Sequence, residues 1–358
     1  MMNMVLRLIC IGISVIAQQV WASEELVYAV VHKGADYLAV KTEIHAIDPE
    51  TAERRLVFSD ENTPIILVQR LYVFHFPVAG GNKLLARAAR RGESIPSPGN
   101  AFLYEISTNG SNSFRQIAPV SGTESLGDVF VNSSGTRIGY INRLGQRQFI
   151  FVYDVVTGKL AHQIDITDMF LDCFAASIGW LPDSDKIYFS LETGDVHITS
   201  EASYSLVGTY LMDETGEHLT KLDPVPALAD SPPPETERLI GVLPNGEFVF
   251  ETMQRKNRPA PGQDQAFFAI VRLSTEPPSV IDISLSAGKK LYSGIQVSYN
   301  LSPSGKHLSA AKLPISSSAT SNDIWLKDLQ TGKERIILSL PAEGLQGPFL
   351  GIVGWFDQ

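Results

Sequence analysis

Cysteine is nearly absent from this chain: of 358 residues only Cys10 and Cys173 carry a thiol. Cys10 lies inside an N-terminal apolar run, so the remainder holds one cysteine and no internal disulfide can form. Stability must then come from a buried core, which a chain of this length can supply without cross-links. Cys173 sits in the apolar stretch MFLDCFAAS and reads as a small buried hydrophobe rather than a reactive thiol. Positive charge is also in deficit, with 29 Lys and Arg against 39 Asp and Glu. Nucleic-acid binders carry a clustered basic face, so nucleic acid is not an expected partner. Beyond the N-terminus no apolar run approaches the roughly 20 residues needed to cross a bilayer.

The chemistry-bearing patterns are missing too. There is no Gly-x-Ser-x-Gly elbow and no recognisable Ser/His/Asp or Cys/His arrangement. The seven histidines (His32, His45, His75, His162, His197, His218 and His307) are scattered without paired metal-ligand spacing. No catalytic residue, metal or cofactor is expected. Asp165, Asp168 and Asp172 lack the order and glycine of a calcium loop and read as turn and strand-end residues.

At the N-terminus, Arg7 precedes the apolar run LICIGISVIA, followed by QQVWAS with Val20 and Ala22 at the small-residue cleavage spacing. Residues 1–22 read as a signal peptide cut after Ala22. The expected product is an exported protein, periplasmic or secreted, with residues 23–358 as one monomeric domain lacking a transmembrane segment.

The rest of the chain repeats. Residues 129–159 read as strand, tight Ser134-Gly135 turn, strand, loop, strand and Thr157-Gly158 turn. First turns recur at Gly81, Gly135, Ser184, Gly246 and Gly305. Second turns recur as Asp154…Thr157-Gly158, Asp213…Thr215-Gly216 and Asp328…Thr331-Gly332. A β-rich repeat of roughly fifty residues with Gly-bearing turns predicts an all-β propeller. The two ends explain each other: the first unit lacks its opening strand, and Gly354-Trp355-Phe356-Asp357 matches Gly179-Trp180-Leu181-Pro182-Asp183. The prediction is a six-bladed β-propeller, its ring closed by the C-terminal strand completing the first blade. Closure removes exposed sheet edges. Trp180 and Trp355, at equivalent repeat positions, are expected to pack between blades.

These units resemble the TolB-type propeller repeat, in which a Trp-Ser-Pro-Asp-Gly-Lys turn precedes a Tyr-x-x-Asp strand and Thr-Gly. The matching residues are Leu301 to Lys306, Leu243 to Gly246, Trp180 to Asp183, and Tyr153-Asp154 with Thr157-Gly158. The resemblance covers nearly the whole expected mature chain but not the α/β domain that TolB carries ahead of its propeller. It implies a fold rather than an activity.

In a four-stranded blade, the second-to-third strand loops and the blade-to-blade connections leave from one face. The long insertions fall there: residues 90–100, 192–208, 255–265 and 314–322 within units, and 165–172 and 223–237 between them. Loops on a rigid scaffold are where binding concentrates. Arg87, Arg90 and Arg91 form one basic cluster on that face, and Arg255, Lys256 and Arg258 another, suited to carboxylates or phosphates through bidentate Arg contacts. Tyr204 lies within one insertion. The reading is a non-enzymatic propeller binding an envelope or extracellular protein, peptide or glycan. Its rival is a propeller lyase or hydrolase acting on a polysaccharide or small molecule at the channel mouth.

Overall fold

The computed structural model of the chain describes residues 24–33, 39–67, 75–77, 83–91, 102–119, 129–132, 134–144, 147–169, 173–181, 184–193, 208–222, 236–243, 245, 248–255, 266–275, 278–282, 295–314, 321–341 and 348–356. The segment read as a signal peptide lies outside these. Among the described residues the regular structure is antiparallel β with one short 3-10 turn at 167–169.

The first sheet contains β1 (Glu25–Lys33), β2 (Ala39–Ile47) and β3 (Arg54–Ser59). The second contains β4 (Ile65–Leu67), β5 (His75–Pro77), β6 (Lys83–Arg90), β7 (Phe102–Ser107) and β8 (Phe114–Pro119). The third is β9 (Val129–Val131), β10 (Arg137–Leu144), β11 (Arg147–Asp154) and β12 (Leu160–Asp165). The fourth is β13 (Cys173–Trp180), β14 (Lys186–Thr193), β15 (Gly208–Asp213) and β16 (Thr220–Lys221). The fifth is β17 (Thr236–Val242), β18 (Phe248–Arg255), β19 (Ala266–Thr275) and β20 (Pro278–Asp282). The last is β21 (Ile295–Leu301), β22 (His307–Pro314), β23 (Ser321–Asp328) and β24 (Glu334–Pro341), and β25 (Phe349–Phe356) returns to the first sheet.

β25 pairs antiparallel with β1, Leu26 opposite Trp355 and Val30 opposite Leu350, so the first sheet runs β25-β1-β2-β3. The opening strands β9, β13, β17, β21 and β25 each touch the opening strand of a neighbouring sheet, which puts them at the centre of the ring.

The expected count of six blades is corrected to five. Among the described residues, five sheets have the four-stranded build of a blade; the second has five strands, with β4 and β5 both paired to β6. Ile65 to Leu67 face Arg90 to Ala88, and His75 to Pro77 face Ala86 to Leu84. The position filled elsewhere by one continuous strand is shared by two three-residue pieces. A carboxylate-centred clamp at Asp60, described below, fixes the first piece independently of the second.

Alternation explains the core. On β11, Phe149 and Phe151 join one apolar cluster with Leu85, Leu103 and Tyr140, while Ile150 and Val152 join another with Trp180, Ile187 and Phe189. On β1, Leu26, Tyr28 and Val30 face the last sheet while Val27 and Ala29 face the second. Strands buried on both faces read as continuous apolar runs, and each fully buried large aliphatic side chain contributes about 1.5–3 kcal/mol. Trp180 and Trp355 are both buried in these inter-sheet clusters. The side chain of Cys173 lies outside the description.

The repeated aspartates hold the third-to-fourth strand turns. Asp48 Oδ1 accepts the amides of Glu50 and Thr51, Asp154 Oδ1 those of Thr157 and its hydroxyl, and Asp328 Oδ1 those of Gln330 and Thr331. Asp213 does the same for Thr215 and Glu217. A short carboxylate bonded to following amides is a local turn device. The residue after each Thr takes positive φ: Gly158 at 65°, Gly216 at 88°, Gly332 at 69°, and in the first sheet Ala52 at 59°.

Candidate functional site

Second and fourth strands of an antiparallel sheet run the same way, so connections leaving their ends share a face. The segments joining β6 to β7, β14 to β15, β18 to β19, and β22 to β23 therefore emerge beside those joining successive sheets. The opposite face carries the tight aspartate turns. These long connections lie largely outside the described residues; the strand ends that launch them do not.

Arg90 closes β6 opposite Ile65 and is exposed. Arg91 is committed to structure. Its Nε donates to the Thr63 carbonyl at 3.0 Å, and one terminal nitrogen to the Asp60 carbonyl at 2.6 Å. The same guanidinium stands 3.7 Å from Asp60 Oδ1. The Asp60 carboxylate, fully buried, accepts the Thr42 amide of β2 at 2.8 Å and the Leu67 amide of β4 at 3.0 Å. Burial raises the Asp60 pKa, outweighing both amides and Arg91. Asp60 and Arg91 thus weld the crossover between the first two sheets to the start of the β6–β7 connection. Arg87 sits on β6 opposite Leu103 and Arg255 ends β18 opposite Ala266, their side chains outside the description. Lys256, Arg258 and Tyr204 lie outside the described residues.

A polar cluster that linear spacing hides lies at the edge where β1 turns into β2. Register places Tyr28 opposite His45, Val30 opposite Glu43 and His32 opposite Lys41. Side chains two apart on a strand share a face, so His32, Lys41, Glu43 and His45 gather. Glu43 Oε2 is 3.3 Å from His32 Nε2 and 3.5 Å from His45 Nε2. Lys41 Nζ lies 2.8 Å from both Glu43 Oε1 and Glu61 Oε2. His45 stacks on Tyr28 at 5.3 Å, which fixes its ring. Burial lowers the His45 pKa against the opposing pull of Glu43. Burial acts to raise the Glu43 carboxyl, but Lys41 and His32 hold it below the ordinary value. The signal in the sequence is the Glu43-x-His45 pair, whose spacing puts both side chains on one face of a strand; His32 joins them through the β1–β2 register.

On the opposite face, Asp213, Glu217 and His218 bring three metal-type donors within 4.8 Å of one another. All three belong to one exposed turn, and Asp213 is engaged by Thr215, Glu217 and His218. Asp165 accepts the Thr167 amide and hydroxyl, a turn role.

No family model matches the chain, and no curated protein matches it. Among solved structures it is similar to TolB from Acinetobacter baumannii, at 13% identity and a TM-score of 0.55, with 92% of this chain covered. The chain spans 66% of that protein's length, just under two thirds. The fold is that of a TolB-like β-propeller. A protein described as TolB from Agrobacterium tumefaciens gives 16% identity and a TM-score of 0.49, covering 92% of this chain and 98% of that one. An oligogalacturonate lyase from Vibrio parahaemolyticus gives 11% and 0.44, covering 87% and 78%. At such identities the likeness is one of fold, and fold alone assigns no function.

Proposed function

We propose that this chain is an exported, non-enzymatic propeller that binds a protein, peptide or glycan through the face bearing its long connections. One observation carries the reading: the longer connections leave from a single face, while the opposite face is tied by short aspartate turns. A closed ring with long loops on one side is a scaffold for recognition. The described rim offers hydrogen-bonding groups suited to polar partners: exposed Arg90 and the His32–Lys41–Glu43–His45 cluster. The apolar segment 8–17 with Ala22 at cleavage spacing supports export.

The test is crosslinking capture from the exported fraction of the host. Wild type is run beside a variant with Arg87, Arg90, Arg255 and Arg258 changed to Glu, leaving Arg91 at its structural post. A partner held by wild type and lost by the variant supports the reading. Recovery by both baits, or by neither, contradicts it, and turnover of a polysaccharide by wild type would move the protein to the enzymatic class.

A further inference from the structure

The ring closes where the last sheet meets the first, and at that junction the structure buries a histidine among carboxylates from both sides. His307, at the start of β22, is 5% exposed at its side chain. Its Nδ1 lies 3.9 Å from Glu24 Oε2 and its Nε2 3.6 Å from Glu50 Oε1. Glu24 immediately precedes β1, and Glu50 belongs to the turn between β2 and β3, so both acids come from the first sheet. From its own sheet, His307 faces Asp328 as cross-strand partner. Its ring stacks on Trp355 of β25 at 5.9 Å and 10°. Nδ1 of His307 and Nε1 of Trp355 are buried with no hydrogen-bond partner among the described residues. The neighbouring cations are Lys306, whose Nζ is 2.6 Å from Glu50 Oε1, and Arg335, which donates to the Pro49 carbonyl.

Glu24 is itself part of the joint: its carboxylate accepts the Ser304 amide at 2.5 Å and the Ser304 hydroxyl at 2.8 Å. Both distances to His307 exceed hydrogen-bond length, but they are short enough for charge to matter in a buried setting. Two carboxylates thus flank one imidazole, one at each ring nitrogen, and the imidazole is the side chain whose ordinary charge change falls between pH 5 and 8.

We propose that His307 is a proton-operated latch on the ring seam: protonated, it bridges Glu24 and Glu50 across the junction and holds β25 and the start of β1 against the last sheet. Glu24 lies on the same joint: burial acts to raise its carboxyl, yet His307, Ser304 and Ser302 hold it below the ordinary carboxylate value. An exported protein meets external pH directly, so such a latch would couple ring closure to the medium.

Hydrogen exchange on the purified protein between pH 5 and 8, corrected for intrinsic rates, tests this. The β25–β1 amides of Tyr28 and Ile352 report the seam, and the β10–β11 amides of Gly139 and Val152 serve as internal reference. One linked proton changes an opening equilibrium by up to about tenfold per pH unit. Seam protection should rise relative to the reference as pH falls through the imidazole range, and His307→Gln should flatten that rise. Seam protection that is flat or falls on acidification in wild type overturns the latch, even if the variant fails to fold. An unchanged rise in a folded His307→Gln overturns it as well.

Discussion

Gly216 presses its bare α-carbon against Ile164 of the preceding sheet: a β-carbon there would lie 2.6 Å from Ile164 Cγ2. The turn that carries Gly216 therefore does two things, reversing the chain at φ 88° and seating the fourth sheet on β12. Glu214 of the same turn lies 3.6 Å from Arg137 Nε and 3.8 Å from His162 Nε2 on the third sheet. Gly332 occupies the matching turn of the last sheet at φ 69° but has nothing within 4 Å of its would-be β-carbon. The two alanine substitutions should differ. Gly332→Ala costs only the left-handed conformation, about 1–2 kcal/mol. Gly216→Ala adds steric overlap and should lose about 2–4 kcal/mol. Denaturant unfolding of the two variants side by side decides it, and equal losses would show that the inter-sheet contact is not tight.

Ala52 is the converse case. It holds at φ 59° the position that glycine fills in the turns at 158 and 332. Ala52→Gly relieves the left-handed strain, and the greater freedom of the unfolded chain offsets part of the gain. A net stabilisation of about 0.5 kcal/mol is expected, read as a raised unfolding midpoint. A lowered midpoint would refute the strained-turn account.

Arg55 on β3 ties three elements. Its terminal nitrogens donate to Glu25 Oε2 at 2.5 Å and to the Thr108 carbonyl of the second sheet at 3.1 Å, and the guanidinium lies over Phe356. Arg55→Met leaves the buried Glu25 carboxylate without this partner. Because Arg55 is itself partly exposed, the loss should be about 2 kcal/mol rather than the larger figure for a fully buried pair. Glu25→Met combined with Arg55→Met should lose less than the single change. A double variant as unstable as the sum of the singles would show that the two side chains do not interact.

The aspartate turns set the acid limb of stability. Asp154 is held below the usual carboxylate range by the Thr157 amide and hydroxyl, Asp213 by the Thr215 hydroxyl and His218, and Asp328 chiefly by the Thr331 amide. A depressed folded value means their stabilisation is present above the ordinary carboxylate value near 4 and is lost as pH falls through the folded values. Asp60 runs the other way, because burial raises it: the folded state holds its proton more tightly, so the cost of charging it fades on acidification. Unfolding midpoints between pH 2 and 6 should fall for wild type and fall less for the triple Asp154, Asp213 and Asp328→Asn variant. Parallel curves would contradict this.

The propeller was legible in the chain because its turns are local: Asp154 to Gly158 and Asp328 to Gly332 close on themselves through adjacent amides. The return of Trp355 to the first sheet was legible because it repeats Trp180. The divided strand of the second sheet was not, since Asp60 organises it by binding Thr42 and Leu67, residues from two sheets. The same clamp holds Arg91, one of the expected binding-face residues, through contacts to Thr63 and Asp60 that spacing along the chain does not show. The His32–Glu43–His45 grouping exists only through strand register, and the His307 seam only through ring closure. Spacing along one chain carries neither.

Hydroxyl-radical footprinting of the protein, free and crosslinked to its captured partner, tests the binding-face account most directly. Protection should fall on segments 194–207, 256–265 and 315–320, with the turns at 154–159, 213–218 and 328–333 unchanged. Protection confined to those aspartate turns would place recognition on the opposite face and contradict the account.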